Sequence, residues 1–166
     1  MRKPIVGIMG TGSEATAFDC QLAFELGRLV ARQGWILLTG GRDVGVMDAA
    51  SRGAKAADGL TIGILPGEND QGISAAIDIP IITGIGSARN NINVLTSNVI
   101  IACGIGAGTT SEIALALKAG KPVILLCPDE KTQNFFQSLA PQQIFVVSTP
   151  AAAIEIAAQT ITDLRL

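Results

Sequence analysis

Short continuous apolar runs alternate along the whole chain with segments in which apolar residues recur every three or four positions. The runs are too short for helices and lack the in-out alternation of a strand with one wet face, so they read as strands buried on both sides. They predict strands at Ile5–Met9, Trp35–Leu38, Leu60–Leu65, Ile79–Ile82, Val99–Cys103, Pro122–Leu126 and Ile144–Val147. Between them, Phe18, Leu22, Leu26 and Leu29 mark the inward face of a helix ended at Gly34, a C-cap position that favours glycine. Met47, Ala50, Ala54 and Ala57 give a small-residue helix able to pack close to its neighbours. A third helix is expected from Ser87 to about Ser97 with Ile92 and Leu95 inward, and a fourth over Ile113–Ala119, closed by Gly120. Phe135, Phe136 and Leu139 predict a short helix or loop, and Ile154, Ala157, Ile161 and Leu164 one face of a C-terminal helix. The polar, glycine-containing stretch 68–76 reads as a mobile surface loop.

Strands separated by helices imply parallel pairing. The expected fold is α/β: one domain over 1–166, a Rossmann-like, doubly wound, mostly parallel sheet of about seven strands flanked by helices. In such sheets ligands bind beyond the carboxyl ends of the strands, where strand order reverses. Four loops bring glycine to that edge: Gly10-Thr11-Gly12-Ser13, Gly40-Gly41, Gly84-Ile85-Gly86-Ser87 and residues 104–109. The last lies within VIIACGIGAGTTSE (99–112), a buried strand, a glycine turn and a helix start in succession. There unpaired backbone N–H groups and the positive end of the helix dipole face the same way and suit an anion.

Individual residues divide between chemistry and structure. Gly10-x-Gly12-x-x-Ala15 matches a dinucleotide fingerprint, but Thr39-Gly40 stand where an acidic residue should hold a ribose hydroxyl, so a nicotinamide cofactor is not expected. Arg89, a cation in a first helical turn, opposes the dipole and is better explained as a fork for phosphate. Thr109-x-x-Glu112 has capping-box spacing, a sufficient structural reason for the glutamate. Ser13, Thr109 and Thr110 suit phosphate contacts and N-caps alike. Cys103 reads first as a small buried hydrophobe.

Composition narrows the classes. Only 16% of residues are charged while 48% are hydrophobic, against about 25% charged in an average globular protein. Part of the surface is therefore expected to be covered by further copies of the chain, as a homodimer or homotetramer. A net charge of −2 argues against nucleic acid as a partner. The absence of histidine removes Ser-His-Asp and Cys-His nucleophiles and histidine metal sites. Cys20, Cys103 and Cys127 form no metal or disulfide pattern. The apolar run in MRKPIVGIMG breaks too early for a secretion signal, and no run has the roughly 20 apolar residues of a membrane span. The expectation is a cytoplasmic protein with no membrane association.

Gly40-Gly41-x-x-x-Gly45-x-Met47, Arg89 and Gly106-x-Gly108-Thr109-x-x-Glu112 together resemble the superfamily once described as lysine decarboxylases. It includes the Lonely-Guy (LOG) cytokinin-activating phosphoribohydrolases and the molybdenum-cofactor carrier proteins. The resemblance runs from the first strand to the sixth. In the hydrolases it implies a nucleoside 5′-monophosphate substrate and a catalytic pair at Arg89 and Glu112. Gly104-Ile105 stand here where the hydrolase motif has Pro-Gly, and Ala88-Arg89-Asn90-Asn91 where it has an Arg-Lys pair. The short chain, the Gly10–Ser13 loop and Ser87-Ala88-Arg89-Asn90 look more like the carriers, which bind a phosphate-bearing pterin-dithiolene (molybdopterin) without turnover and form homo-oligomers. The implied function is therefore binding and protection of molybdenum cofactor, with molybdoenzymes as recipients, no catalytic residue and no protein metal ligand. The alternative is the phosphoribohydrolase. The expected contact set is Gly10, Thr11, Gly12, Ser13, Gly40, Gly41, Ser87, Arg89, Asn90, Gly106, Ala107, Gly108, Thr109, Thr110 and Glu112, with phosphate on 104–109 and the pterin and metal end beside Gly10–Ser13 and Gly40-Gly41.

Overall fold

A computed structural model describes residues 2–163. Its strands are β1 (Ile5–Gly10), β2 (Ile36–Thr39), β3 (Thr61–Leu65), β4 (Ile79–Ile82), β5 (Val99–Cys103), β6 (Val123–Leu126) and β7 (Ile144–Val147). Its helices are α1 (Ala17–Arg32), α2 (Gly45–Lys55), α3 (Arg89–Thr96), α4 (Ala107–Lys118), α5 (Glu130–Leu139) and α6 (Pro150–Asp163). The strands form one sheet in the order β4-β3-β2-β1-β5-β6-β7, and every pairing is parallel. The expectation of a mostly parallel sheet thus becomes a fully parallel one. Leu164, expected on the last helix, lies outside the described residues.

The period of two along each strand supplies two cores. Val6 and Ile8 of β1 and Val99, Ile101 and Cys103 of β5 pack with α1, α2 and α6. Met9, Ile100 and Ala102, on the same two strands, face α3, α4 and α5. α1 is fixed at its start by a capping box between Thr16 and Asp19. It lies against α2 through glycine on both sides: a Cβ on Gly27 would stand 2.0 Å from the Ala50 carbonyl oxygen, and one on Gly53 1.9 Å from that of Phe24.

Several predicted inward residues face out. Phe18 is 57% exposed and Leu95 55%. For Leu95 the cause is clear: residues 86–88 form a separate 3₁₀ turn, the helix starts at Arg89, and its buried face carries Asn90, Asn93 and Val94. An inward face so rich in asparagine carries no hydrophobic signal. The 68–76 stretch is also more anchored than expected. Ser74 is buried, its hydroxyl donates to Asp48 (2.7 Å), its N–H donates to the Gly41 carbonyl, and Ile73 bridges to Arg42. At the sheet's edge β4 is exposed along its length, with Ile79, Ile81 and Ile82 at 40–48% and Pro80 between them.

Candidate functional site

Strand order reverses between β1 and β5, so the loops after these two strands diverge and leave a cleft at their carboxyl ends. It measures about 580 Å³. Residues 10–14 after β1 form one wall, Gly40 and residues 42–44 with Met47 after β2 a second, and residues 106–109 with Glu112 a third. Arg89, Asn90, Ile8 and Met9 complete the lining. Twelve of the fifteen expected contact residues therefore share one cavity. Gly41, Ser87 and Thr110 do not line it. Gly41 (φ +76°) turns toward β3, where a Cβ would stand 2.9 Å from Gly63 Cα. Ser87 is exposed on the 3₁₀ turn, and Thr110 is one residue round the helix from the buried Thr109.

The base of the cleft joins three elements. Arg89 Nη1 donates to the carbonyls of Gly40 (2.8 Å) and Ile64 (2.5 Å), at the ends of β2 and β3. A Cβ on Gly40 would stand 2.3 Å from that nitrogen, so glycine at 40 makes room for the arginine. Burial lowers the Arg89 pKa from its ordinary value; Glu112 opposes this and Arg42 adds to it. The guanidinium is thus partly a staple between strand ends, where a free phosphate fork was expected.

Glu112 corrects a second expectation. α4 starts at Ala107 with Gly106 as N-cap, which makes Thr109 the third helical residue and Glu112 the sixth, too far along for a capping box. Glu112 is only 7% exposed and its Oε1 accepts a hydrogen bond from Asn93 Nδ2 (2.7 Å). Burial pushes its carboxyl above the ordinary glutamate range, against the opposing pulls of Asn93 and the Arg89 charge. Asn93 itself is fully buried and its Oδ1 has no partner among the described residues.

Thr109 Oγ1 is likewise buried without a partner among the described residues, although the residue is on the cleft wall. A buried polar atom left unpaired costs about 1–3 kcal/mol. A hydroxyl kept there without a partner in the chain suits a ligand at the α4 N-terminus. At Gly108 a Cβ would meet no atom within 4 Å, and at Gly12 none nearer than 3.8 Å. Packing within the chain requires glycine at neither position, whereas backbone close to a ligand does. Asn90 Nδ2 donates to Ser111 Oγ (2.8 Å), which donates to the Gly108 carbonyl (2.7 Å), tying α3 to this turn.

Cys103 lies in the core behind the cleft. Burial first, then the nearby Asp19 charge, pushes its thiol up to about 12, so the core reading fits and a nucleophilic one does not. Sequence reasoning missed Asn93, Arg42, Asp43, Val44 and Met47. The last four lie in or beside the Gly40–Met47 motif, whose intervening positions carried no assignment. Asn93 had one available signal, a polar residue four positions after Arg89 and therefore on the same helix face.

Sheet and cleft define a Rossmann-like fold whose candidate site combines glycine turns, one helix N-terminus and an Arg-Asn-Glu group. The chain belongs to the SLOG cluster4 family, whose profile matches residues 3–154. Among solved structures it is 58% identical to the molybdenum cofactor binding protein of Rippkaea orientalis, with a TM-score of 0.95 over 97% of this chain and 99% of that one. It is 51% identical to the molybdenum cofactor carrier protein of Chlamydomonas reinhardtii, with a TM-score of 0.92 and the same coverage. A cytokinin riboside 5′-monophosphate phosphoribohydrolase of Mycobacterium tuberculosis is 31% identical over 137 residues, 74% of this chain and 70% of that protein. The chain is thus a family member with carrier-like near relatives and a more distant hydrolase relative.

Proposed function

We propose that this chain binds and carries molybdenum cofactor without turning it over. Identity above 50% to cofactor-binding and carrier proteins across nearly the whole chain supports the ligand class. The observation that carries the seating is the orphaned, buried Thr109 hydroxyl at the start of α4, beside the open backbone of Gly108. The phosphate monoester sits on residues 106–109, receiving N–H groups of the first helical turn and the Thr109 hydroxyl. Arg89 and Arg42 offset its charge. The pterin and molybdenum end occupies the part of the cleft bounded by Gly10–Ser13, Gly40 and Met47. The test is to mix the purified protein with molybdenum cofactor, separate by gel filtration, and assay the protein fraction for transfer to an apo-molybdoenzyme. Co-elution and transfer are expected; the absence of both at micromolar protein refutes the proposal.

The second reading, hydrolysis of a nucleoside 5′-monophosphate, draws on the Arg89–Glu112 pair. Against it, Arg89 Nη1 is spent on two backbone carbonyls and Glu112 Oε1 on Asn93. Release of free adenine from AMP, abolished in Glu112→Gln, would establish the hydrolase instead. We further infer a homodimer or homotetramer, supported by the apolar edge of Ile79, Ile81, Ile82 and Ile85, and transfer of the cargo to molybdoenzymes. No described helix is long and apolar enough to cross a membrane.

A further inference from the structure

Resting on the cofactor reading, we propose that the cleft-bearing face docks a basic partner protein, the recipient of the cargo, and that a second cavity on that face receives an arginine or lysine side chain of the partner. The loops and first helical turns at the carboxyl edge of the sheet expose six carboxylates: Glu14, Asp43, Glu68, Asp70, Asp129 and Glu130. The same described segments expose two cations, Arg42 and Lys131. The whole chain has a net charge of only −2, so its acidity is concentrated on this face. A ring of carboxylates does not help to capture a phosphate-bearing ligand, because like charges repel. It does suit the entrance of a protein that takes up the same anion, which must itself be basic. Complementary rims steer the two openings together and fix their register.

The second cavity, about 350 Å³, supplies the specific contact. It lies at the ends of β5 and β6 and shares Thr11 and Glu14 with the cleft. Asp19 and Asp129 add carboxylates, Ile105, Leu126 and Pro128 an apolar wall, and no described lysine or arginine lines it. Asp19 spends Oδ2 on the Thr16 N–H and hydroxyl, which leaves Oδ1 without a hydrogen bond to a described residue. A Cβ on Gly104 would stand 2.6 Å from Thr11 Oγ1 and 3.4 Å from Asp19 Oδ1, so the two oxygens flank one glycine. Thr11 Oγ1 is buried and has no partner among the described residues. A buried acceptor left open beside a carboxylate calls for a donor from outside the chain.

Two further observations narrow the occupant. No three carboxylate or thiol groups among the described residues come together as a metal site, so the cavity suits a donor-rich side-chain cation better than a metal ion. Cys127 turns the chain at the end of β6 with φ +49°, a left-handed conformation that is costly for a residue with a Cβ. Its thiol donates to the Ser148 carbonyl (3.1 Å), and the turn delivers Pro128 and Asp129 to the cavity wall. A guanidinium or ammonium on an alkyl stem matches a lining that is part apolar and part acidic.

The test measures transfer of molybdenum cofactor from the loaded protein to an apo-molybdoenzyme and, separately, binding of an oligoarginine peptide to the protein. Raising NaCl from about 25 to about 250 mM should slow transfer by about tenfold or more. Asp129→Asn combined with Glu130→Gln should slow transfer and weaken peptide binding by about fivefold, with cofactor retention within about twofold. Asparagine keeps the cap on Thr132, so α5 stays formed. An N-ethylmaleimide adduct on the exposed Cys127, which lines the second cavity and not the cleft, should have the same effect. Asp163→Asn, at the far end of α6, should change neither measurement. Transfer and peptide binding indifferent to the paired substitution or to the adduct overturn the proposal and leave cofactor retention standing. Displacement of the peptide by one equivalent of Ca²⁺ assigns the cavity to a metal ion and overturns it too. Failure to retain molybdenum cofactor, with peptide binding that still falls in the variants, overturns the carrier reading and leaves the acidic docking surface standing.

Discussion

Replacing Gly53 by alanine sets two effects of opposite sign against each other. Gly53 is inside α2, where alanine is intrinsically favoured over glycine by about 1 kcal/mol. The new Cβ, however, would stand 1.9 Å from the Phe24 carbonyl oxygen and 2.7 Å from its carbonyl carbon, both rigid backbone of α1. Ordinary contact begins near 3.4 Å, so the helices must part by about 1.5 Å at this crossing. A Cβ on Gly27 would likewise stand 2.0 Å from the Ala50 carbonyl oxygen, and no rotamer change relieves a clash with backbone. Overpacking of a tight core costs about 1–3 kcal/mol, and backbone against backbone belongs at the upper end. After the propensity gain, a net loss of about 2 kcal/mol is expected, or roughly 4–8 °C in Tm for a chain of this size. Urea denaturation followed by circular dichroism measures it. Because α2 also carries Met47 of the cleft wall, cofactor retention should weaken as well. A Gly53→Ala protein as stable as wild type, or more stable, would falsify the claim that the two backbones are in contact.

Other expectations follow from the site and the core. Glu112 titrates above its unfolded value of about 4.3. The stability it contributes is therefore fully present below that pH and lost as pH rises through the raised folded value, so Glu112→Gln should gain relative stability from pH 4 toward neutrality; a constant difference in urea midpoint across that range contradicts this. Thr109→Val removes a buried, unpaired hydroxyl and should leave stability equal or raised by up to about 1 kcal/mol while lowering cofactor retention; loss of stability would mean that the hydroxyl has a partner within the chain. Arg89→Lys should destabilise by about 1–3 kcal/mol, since the shorter lysine stem withdraws the nitrogen that bonds both Gly40 and Ile64; an unchanged melting curve would remove the staple. Under native conditions iodoacetamide should modify the exposed Cys127 and spare Cys103, whose thiol is buried and raised to about 12; peptide mass spectrometry reads the ratio.

The strands were legible because each is a short apolar run, buried on both faces in β1, β5 and β6, a pattern that depends on no distant contact. β1 and β5 fall within a residue of their predicted ends. The cleft was legible because parallel α/β topology sends every strand end to one edge, so loops far apart in sequence had to meet there. What distant packing decides was not legible. Arg89 resembled a phosphate ligand until the carbonyls of Gly40 and Ile64 were placed beside it. Glu112 resembled a cap because its spacing from Thr109 is right, and only the helix start at Ala107 shows that the frame is wrong. Asn93 was marked only by its spacing of four from Arg89, because a buried asparagine is indistinguishable in sequence from an exposed one. Its role depends on a carboxylate on another helix.

The edge strand β4 sets a rule for how copies of this chain can meet. The Thr83 N–H, just past the strand, donates inward to Leu65. By the twofold alternation of a strand, the N–H groups of Ile79 and Ile81 then also point at β3, and position 80 faces the open side. That position is proline, which has no N–H to give. Of the two outward positions, 80 and 82, the first therefore offers no donor to an eighth strand, which weakens the strand addition that is the hazard of any uncovered sheet edge. The isoleucines beside it remain available for contact. A contact made through them would be one of side chains, which fit a bounded surface and then stop, so the strand that would invite a neighbour would also limit how many could follow.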